Sequence, residues 1–160
     1  MFRDPKPEET QDLIDLADAT GIFKPKEAQA LLGAALDAFH SGNLGENHKI
    51  IVIDNSESTP IGWTYFAPSQ YAAGVWDVWW VGTHPKLHGQ GFGKKLLEAV
   101  ESEIRSQNGR VIIIETSSLP PLAKARKFYP LLNYLECGRI PNFYGDGDDK
   151  IIFAKSIQPE

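Results

Sequence analysis

A short apolar run, a loop with alternating glycines and an amphipathic segment follow one another in the middle of the chain. The apolar run from Val75 to Val81 predicts a buried strand. Glycine stands at every second position of the loop, at Gly89, Gly91 and Gly93. The segment after the loop repeats apolar residues at helical spacing, at Leu96, Leu97, Val100 and Ile104. The stretch therefore predicts a strand, a glycine loop and a helix N-terminus in direct succession.

A junction of this kind is a site for an anion. The first N–H groups of a helix have no partner inside the helix, and the helix dipole adds partial positive charge there. Because glycine has no Cβ, a phosphate can approach the loop backbone closely. Lys94 and Lys95 add positive charge beside the loop. We therefore expect the loop to hold a phosphorylated ligand, with a pyrophosphate as the best fit.

The chain as a whole has the composition of one globular domain. Its 160 residues suit a single domain, and they contain no internal repeat, linker or low-complexity tract. The net charge of −5 argues against a nucleic-acid partner and favours a cationic one. A single cysteine, Cys137, excludes an internal disulfide and fits a reducing compartment. Because no apolar run reaches about 18 residues, we expect no membrane span and a cytoplasmic location.

The order of predicted elements indicates a mixed sheet. We predict strands over residues 1–3, 49–54, 61–67, 74–83, 110–116, 134–140 and 150–156, and helices over 8–19, 25–41, 91–107 and 121–132. Residues 141–149 are rich in glycine and aspartate and predict a loop. Short, closely spaced strands favour antiparallel pairs, whereas the strand–helix–strand unit over 74–116 predicts a right-handed crossover between parallel strands.

The glycine loop also resembles a family signature. His88-Gly89-Gln90-Gly91-Phe92-Gly93 resembles the (Gln/Arg)-x-x-Gly-x-(Gly/Ala) motif of GNAT N-acetyltransferases, with His88 at the Gln/Arg position. The residues before it, Val81-x-Thr83-x-Pro85, resemble the end of the family's fourth strand. The resemblance implies a set of acetyl-CoA-binding residues, namely Val81, Gly82, Thr83, His88, Gly89, Gln90, Gly91, Phe92, Gly93 and Lys94.

A second stretch resembles the closing motif of the same family, Ala-x-x-Phe-Tyr-x-x-x-Gly-(Phe/Tyr). It runs from Ala125 to Tyr134 and carries Asn133 where glycine is usual. Asn tolerates the left-handed conformation better than other residues with a side chain. Pro130 removes one helical N–H, so we expect the helix to kink or end there. By resemblance, Tyr129 is the family tyrosine that protonates the departing thiolate, and the alternative is a core aromatic beside Phe128.

The resemblance implies fold and activity together. The expected fold is α/β, with a mostly antiparallel central sheet, one parallel pair at the acetyl-CoA cleft, helices on both faces, and a single domain over residues 1–160. The expected enzyme is an N-acetyltransferase that binds acetyl-CoA as co-substrate, needs no metal, and acetylates a primary amine of a small molecule or peptide by direct attack in a ternary complex. A backbone N–H near Val81 or Thr83 would stabilise the oxyanion. The alternative is an acetyl-CoA-binding module with lost or regulatory activity.

The general base has two candidates and a third option. Glu115 ends the apolar strand Val111–Ile114 and resembles a glutamate of the members that acetylate protein N-termini. Asp77 lies inside an aromatic strand, where a charge must be paired or functional, unless it faces solvent. Water that relays the proton to bulk is the third option. Tyr144 resembles a tyrosine of the substrate channel in the same members, and its alternative is a surface loop.

Other interpretations of these residues are weaker. A dinucleotide fingerprint needs a third glycine at position 94, where the chain has Lys94. His84 and His88 lack the helix and the further ligands that a metal site requires. Cys137 has no evident partner that would make it a nucleophile. Exposed strand edges leave a homodimer open.

Overall fold

A computed structural model describes residues 1–157 of the chain. The strands are β1 Phe2–Arg3, β2 Lys49–Asp54, β3 Pro60–Pro68, β4 Val75–Thr83, β5 Val111–Ser117, β6 Leu135–Gly145 and β7 Asp148–Ser156. The helices are α1 Thr10–Ala19, α2 Ala34–His40, α3 Phe92–Ser106 and α4 Ala123–Leu131. Short 3₁₀ turns span Pro7–Glu9, Pro85–Leu87 and Pro120–Leu122, and a π-helical turn, Gln29–Gly33, leads into α2.

The sheet has the predicted mixture of pairings. Seven strands are hydrogen-bonded in the order β1-β2-β3-β4-β5-β7-β6. β4 and β5 are parallel, whereas β1 with β2, β2 with β3, β5 with β7, and β6 with β7 are antiparallel. The predicted fold class and element order are therefore confirmed.

Contacts group the chain into two compact units. The first unit comprises Met1–Ala67 and Trp80–Val100, and the second comprises Pro68–Trp79 and the chain from Glu101 onward. The covalent boundaries lie inside β4, after Trp79, and inside α3, after Val100. The single domain expected from the sequence stays a prediction.

In the first unit, helices cover both faces of the sheet. Ile50 and Val52 of β2 belong to a core cluster with Leu13 of α1 and Leu36 of α2. Ile53, which is next to Val52, belongs to a second cluster with Ile61 of β3 and Leu96 of α3. Because successive strand side chains point to opposite faces, this alternation places α1 and α2 on one face and the start of α3 on the other.

In the second unit, the two faces of β5 differ in burial. Ile112, Ile114 and Thr116 are buried, whereas the residues between them are partly or fully exposed. Cross-strand partners share a face, and Ile114 pairs with Phe153 of β7, which contacts Tyr129 of α4. The other face carries Glu115 and is the more open one. A strand with one buried and one accessible face can thus present polar side chains for chemistry.

The predicted loop over 141–149 is wrong, because most of it forms a β-hairpin. β6 continues to Gly145 and β7 begins at Asp148, so only Asp146 and Gly147 form the turn. The register shifts between Ile140 and Gly145, where Asn142 has a φ of +55°. Because glycine and aspartate are typical of turns, the sequence pattern predicted a loop and did not indicate a hairpin with a β-bulge.

The helix ends are close to the predicted ones, with two instructive details. The predicted helix from residue 25 becomes helical at Glu27 and continues through the π-helical turn, Gln29–Gly33, into α2. Pro130 lies in the last turn of α4, which ends at Leu131, and Asn133 has a φ of +65°. The expected helix end and the expected left-handed asparagine are both confirmed.

Candidate active site

The glycine loop has the backbone that the sequence predicted. A 3₁₀ turn over Pro85–Leu87 leads into the loop, and α3 begins at Phe92. Gly89 and Gly91 have φ values of +81° and +83°, and a Cβ at either would meet no heavy atom within 4 Å. A side chain is therefore disfavoured by the backbone conformation, at roughly 1–2 kcal/mol per residue, while the space above the loop is open.

The first turn of α3 offers unpaired backbone donors. The N–H groups of His88 and Gln90 bond within the loop, to the carbonyls of Pro85 and Leu87 at 3.2 Å each. Within residues 1–157, the N–H groups of the next four positions have no hydrogen-bond acceptor; these are Gly91, Phe92, Gly93 and Lys94. An anion that accepts these donors satisfies groups that are otherwise left to water.

Two exposed lysines accompany this turn. The Lys94 ammonium lies 3.7 Å from the Glu98 carboxylate, and both side chains are more than half exposed. The Lys95 ammonium lies 5.4 Å from the centroid of the Phe92 ring. Solvent weakens the Lys94–Glu98 pair, so Lys94 can turn to an anion at little cost.

The end of β4 depends on two glycines. A Cβ on Gly82 would lie 2.3 Å from the Trp80 ring, and a Cβ on Gly62 of β3 would lie 2.9 Å from the Gly82 carbonyl oxygen. The indole of Trp80 thus occupies the space beside Gly82, and Thr83 is buried next to it. This close packing lies in the segment from Val81 to Thr83, where the oxyanion donor was predicted.

A pocket of about 240 Å³ lies on the more open face of the second unit. It is lined by Asp77, Val78, Trp79, Ile113 and Glu115. Asp77 pairs with Ile113 across the parallel strands, and the pairs of β4 with β5 run only as far as Val78 with Ile114. The register therefore places the two predicted base candidates in one pocket.

The two carboxylates have different surroundings. The Glu115 carboxylate forms an ion pair with the Lys150 ammonium at 2.7 Å. Among the described residues, Asp77 has no hydrogen-bond or ion-pair partner. Burial raises the pKa of the Asp77 carboxyl, the Glu115 charge raises it further, and Lys150 opposes the rise. Asp77 is therefore a stronger proton acceptor than an aspartate in water, and it is the carboxylate of the pocket without an ion-pair partner among the described residues.

Lys150 links this pocket to the hairpin. Its ammonium lies 3.7 Å from the centroid of the Phe143 ring and 5.9 Å from that of Tyr144, with the lysine side chain 13 % exposed. Burial raises the pKa of the Tyr144 phenol, and the charges of Glu115 and Asp148 add to the rise. The Glu115 charge of the pocket thus acts on the Tyr144 phenol, although Tyr144 is not among the residues that line the pocket.

Tyr129 lies on the other face of the β5–β7 ladder. Its buried ring packs against Phe153 at 5.4 Å and Tyr134 at 6.2 Å, and burial raises its pKa to about 12. Phe153 is next to Ile152, the cross-strand partner of Glu115, and so points away from the Glu115 face. The structure therefore brings Asp77 and Glu115 together but separates Tyr129 from them by the sheet.

Sequence reasoning missed four residues of this site: Lys150, Val78, Trp79 and Ile113. Lys150 pairs with Ser117, two residues beyond Glu115, so the β5–β7 register places both long side chains on one face. A hydrophobic pattern does not reveal such a register between distant strands.

The described residues contain no group of three or more metal-ligating side chains. In the same part of the chain, no helix is long and apolar enough to cross a membrane.

Comparison with known proteins supports one family. Residues 12–134 match the family model described as the acetyltransferase (GNAT) family. No curated protein sequence matches the chain. Among solved structures, a protein of Desulfovibrio desulfuricans assigned to the GNAT family has 25% sequence identity and a TM-score of 0.88, with 98% of each chain covered.

Two more distant structures share the fold. An aminoglycoside 6'-N-acetyltransferase complexed with coenzyme A has 17% identity and a TM-score of 0.78, with 100% of this chain and 98% of that chain covered. The ribosomal-protein-S18-alanine N-acetyltransferase of Escherichia coli has 16% identity and a TM-score of 0.74, with 99% and 94% covered.

Proposed function

Since this chain belongs to the acetyltransferase (GNAT) family, we propose that it transfers the acetyl group of acetyl-CoA to a primary amine. The glycine loop carries the proposal. Two glycines in the left-handed region and the unpaired N–H groups of positions 91–94 form a cradle for the pyrophosphate. The coenzyme A complex of a structurally similar acetyltransferase supports this ligand.

The acidic pocket is the proposed place of the acceptor. An amine is mostly protonated at neutral pH, and an ammonium has no lone pair to attack a thioester. The ammonium is attracted by Asp77, whose raised pKa also makes it a better proton acceptor than an ordinary carboxylate. Glu115, the base expected from the family resemblance, is neutralised by Lys150 and is a weaker candidate on this geometry.

Tyr129, the donor to the sulfur expected from the family resemblance, lies on the other face of the β5–β7 ladder from the Asp77–Glu115 pocket. With its pKa near 12, the phenol holds its proton at neutral pH and can donate a hydrogen bond. A thiol has a pKa of about 8.5, so complete transfer from Tyr129 to the thiolate is uphill. Because the sheet separates Tyr129 from this pocket, Tyr129 is a weaker candidate for the sulfur donor. The departing thiolate then takes its proton from water, while the proton lost by the amine goes to Asp77 or to water.

The acceptor is proposed only as an amine. The similar structures include enzymes named for an aminoglycoside and for the alanine of a ribosomal protein, which have an acetylated amine in common. An oxyanion donor at Val81 or Thr83, a cytoplasmic location and a homodimer stay predictions.

A calorimetric titration with acetyl-CoA tests the proposal, with NAD as the control ligand. We expect micromolar binding of acetyl-CoA and none of NAD. Replacement of Gly91 by Leu should weaken acetyl-CoA binding at least about tenfold, because the side chain enters the space that the phosphate needs. Preference for NAD, or no binding of acetyl-CoA, would contradict the proposed cofactor.

Gly21→Leu is the matched control for Gly91→Leu. Gly21 has a φ of +73°, and a Cβ there would also meet nothing within 4 Å. Both variants pay the same backbone strain, of roughly 1–2 kcal/mol, but only one alters the loop. Equal loss of acetyl-CoA binding in the two variants would show that strain, and not the cradle, is responsible. The activity itself is then measured as release of CoA thiol with a panel of amines.

A further inference from the structure

The Lys150 ammonium lies between a carboxylate and an aromatic ring. It is 2.7 Å from Glu115 Oε2 and 3.7 Å from the centroid of Phe143, and the lysine side chain is 13 % exposed. A carboxylate and a ring face are the two groups that bind an organic ammonium from outside the protein. In this structure the cation between the carboxylate and the ring is the Lys150 ammonium of the same chain.

The position of Lys150 follows from strand register. Ser117 pairs with Lys150 and Glu115 pairs with Ile152 across β5 and β7. Side chains two residues apart on a strand share a face, so Lys150 points to the same side as Glu115. Asp77 is on this face too, because it pairs with Ile113 two residues before Glu115. One row of side chains therefore carries two negative charges and one positive charge.

The charges leave one carboxylate of the pocket without a counter-ion. Glu115 is paired with Lys150, whereas Asp77 has no ion-pair or hydrogen-bond partner among residues 1–157. Asp77 and Glu115 line the same pocket, together with the aromatic side chain of Trp79. The pocket thus has one uncompensated negative charge for a ligand that enters it.

We propose that Lys150 determines the acceptor preference by neutralising Glu115, so that the pocket selects an amine with a single positive charge over an amine with two. This inference rests on the proposed function, since it assigns the acceptor to the Asp77–Glu115 pocket. Lys150 is a specificity-determining residue here, and it takes no proton from the substrate. Without its ammonium, the pocket has two uncompensated carboxylates and favours a dication.

Lys150→Met is the direct test, because Met preserves an unbranched apolar side chain and removes the ammonium that contacts Glu115 and the Phe143 ring. The probes are 1-aminobutane and 1,4-diaminobutane, and kcat/KM for each is measured by CoA thiol release. We expect the ratio of kcat/KM for the diamine to kcat/KM for the monoamine to rise about fivefold or more in Lys150→Met. Added salt should make this rise smaller. An unchanged ratio in an active Lys150→Met enzyme would overturn the inference.

Two further variants separate charge from structure. Lys150→Arg keeps the charge and should keep the wild-type ratio. Lys150→Met combined with Glu115→Gln restores a single uncompensated carboxylate, so the ratio should return to the wild-type value even if the rates fall. A double variant that retains the ratio of Lys150→Met would show that charge compensation is not the cause.

Failure of the proposed function has a different signature. If the wild-type protein releases no CoA thiol with any amine, the acetyltransferase proposal fails at this step. Calorimetric binding of 1,4-diaminobutane to wild-type protein and to Lys150→Met then tests the charge balance alone. Tighter binding to the variant supports the role of Lys150 in the pocket, and equal binding overturns it.

Discussion

Asp77 and Glu115 lie on one face and line one pocket, yet their environments differ. Glu115 is exposed and paired with Lys150, so its charge is balanced. Asp77 is half-buried and loses hydration without gaining a partner among the described residues, which raises the pKa of its carboxyl. Folding destabilises the charged form of Asp77, so the carboxylate accepts a proton more readily. A general base needs this property.

Asp77→Asn should therefore lower activity and preserve stability. We expect acetyl transfer to fall about 10²-fold, a typical contribution of general base catalysis. The melting temperature at pH 7 should equal or exceed that of the wild-type protein, because the ionised carboxylate loses hydration on folding. The gain in stability of Asp77→Asn over the wild-type protein is largest at pH values above the raised pKa of Asp77. It shrinks as the pH falls towards 3.8, the ordinary pKa of an aspartate.

Scanning calorimetry and a thiol-release assay on the same samples check this pair of effects. A fall in the melting temperature of Asp77→Asn would mean that Asp77 has a structural role. Unchanged activity of this variant would show that Asp77 takes no part in the proton transfer.

At the scale of elements, the β6–β7 hairpin contains a residue in the left-handed region. Asn142 has a φ of +55°, and its Oδ1 accepts a hydrogen bond from the Gly147 N–H at 2.8 Å. The Asn142 N–H donates to the Asp149 carboxylate at 2.8 Å, and Arg139 lies 2.7 Å from the same group. These bonds lower the pKa of the Asp149 carboxyl. The acidic residues of the hairpin therefore include one, Asp149, that has a clear structural role.

The hairpin predicts an order of stability for three variants of Asn142. Asn142→Gly loses the amide acceptor but removes the Cβ from the left-handed region, whereas Asn142→Ala loses the acceptor and keeps a Cβ there. We expect Ala to be less stable than Gly by about 1 kcal/mol, with Asn142→Asp closest to the wild-type protein because Asp retains an acceptor. Urea denaturation measures the differences. Equal stability of the Ala and Gly variants would contradict the role of the backbone conformation.

At the scale of the whole molecule, folding is coupled to the protonation of two buried phenols. Burial raises the pKa of Tyr129 to about 12, and burial together with the Glu101 charge raises that of Tyr134 above its ordinary value. The Tyr134 hydroxyl donates to Glu101 Oε1 at 3.1 Å, and the Lys155 ammonium lies 2.7 Å from the same oxygen. The core of the second unit thus combines aromatic packing with a buried, balanced charge.

Alkaline unfolding should be sensitive to Tyr129. The unfolded chain releases the phenol proton near pH 10 and the folded chain near pH 12, so the stabilising contribution is complete below pH 10 and is lost as the pH rises towards 12. The loss attributable to Tyr129 is about 2–3 kcal/mol. Tyr129→Phe should therefore show a shallower decline in the free energy of unfolding over this range.

Tyr71→Phe is the matched control, because Tyr71 is 96% exposed and has similar surroundings before and after unfolding. Chemical denaturation at several pH values between 9 and 12 gives the slopes. If the Tyr129→Phe slope equals that of the wild-type protein, the phenol is not kept protonated by folding.

The sequence alone determined the features that neighbouring residues encode. The glycine loop, the start of α3, the element order and the left-handed Asn133 were all predicted, because each depends on spacing within one short stretch. The family resemblance rests on the same local motifs, and the family match over residues 12–134 confirms it.

Only the tertiary structure decided which distant side chains meet. The pairing of β4 with β5 and of β5 with β7 brings Asp77, Glu115 and Lys150 to one face and leaves Tyr129 on the other. A change of one residue in register would reverse the face of every side chain on a strand, and no local pattern records that choice. Local sequence therefore predicts the glycine loop, whereas strand register sets the charge of the Asp77–Glu115 pocket.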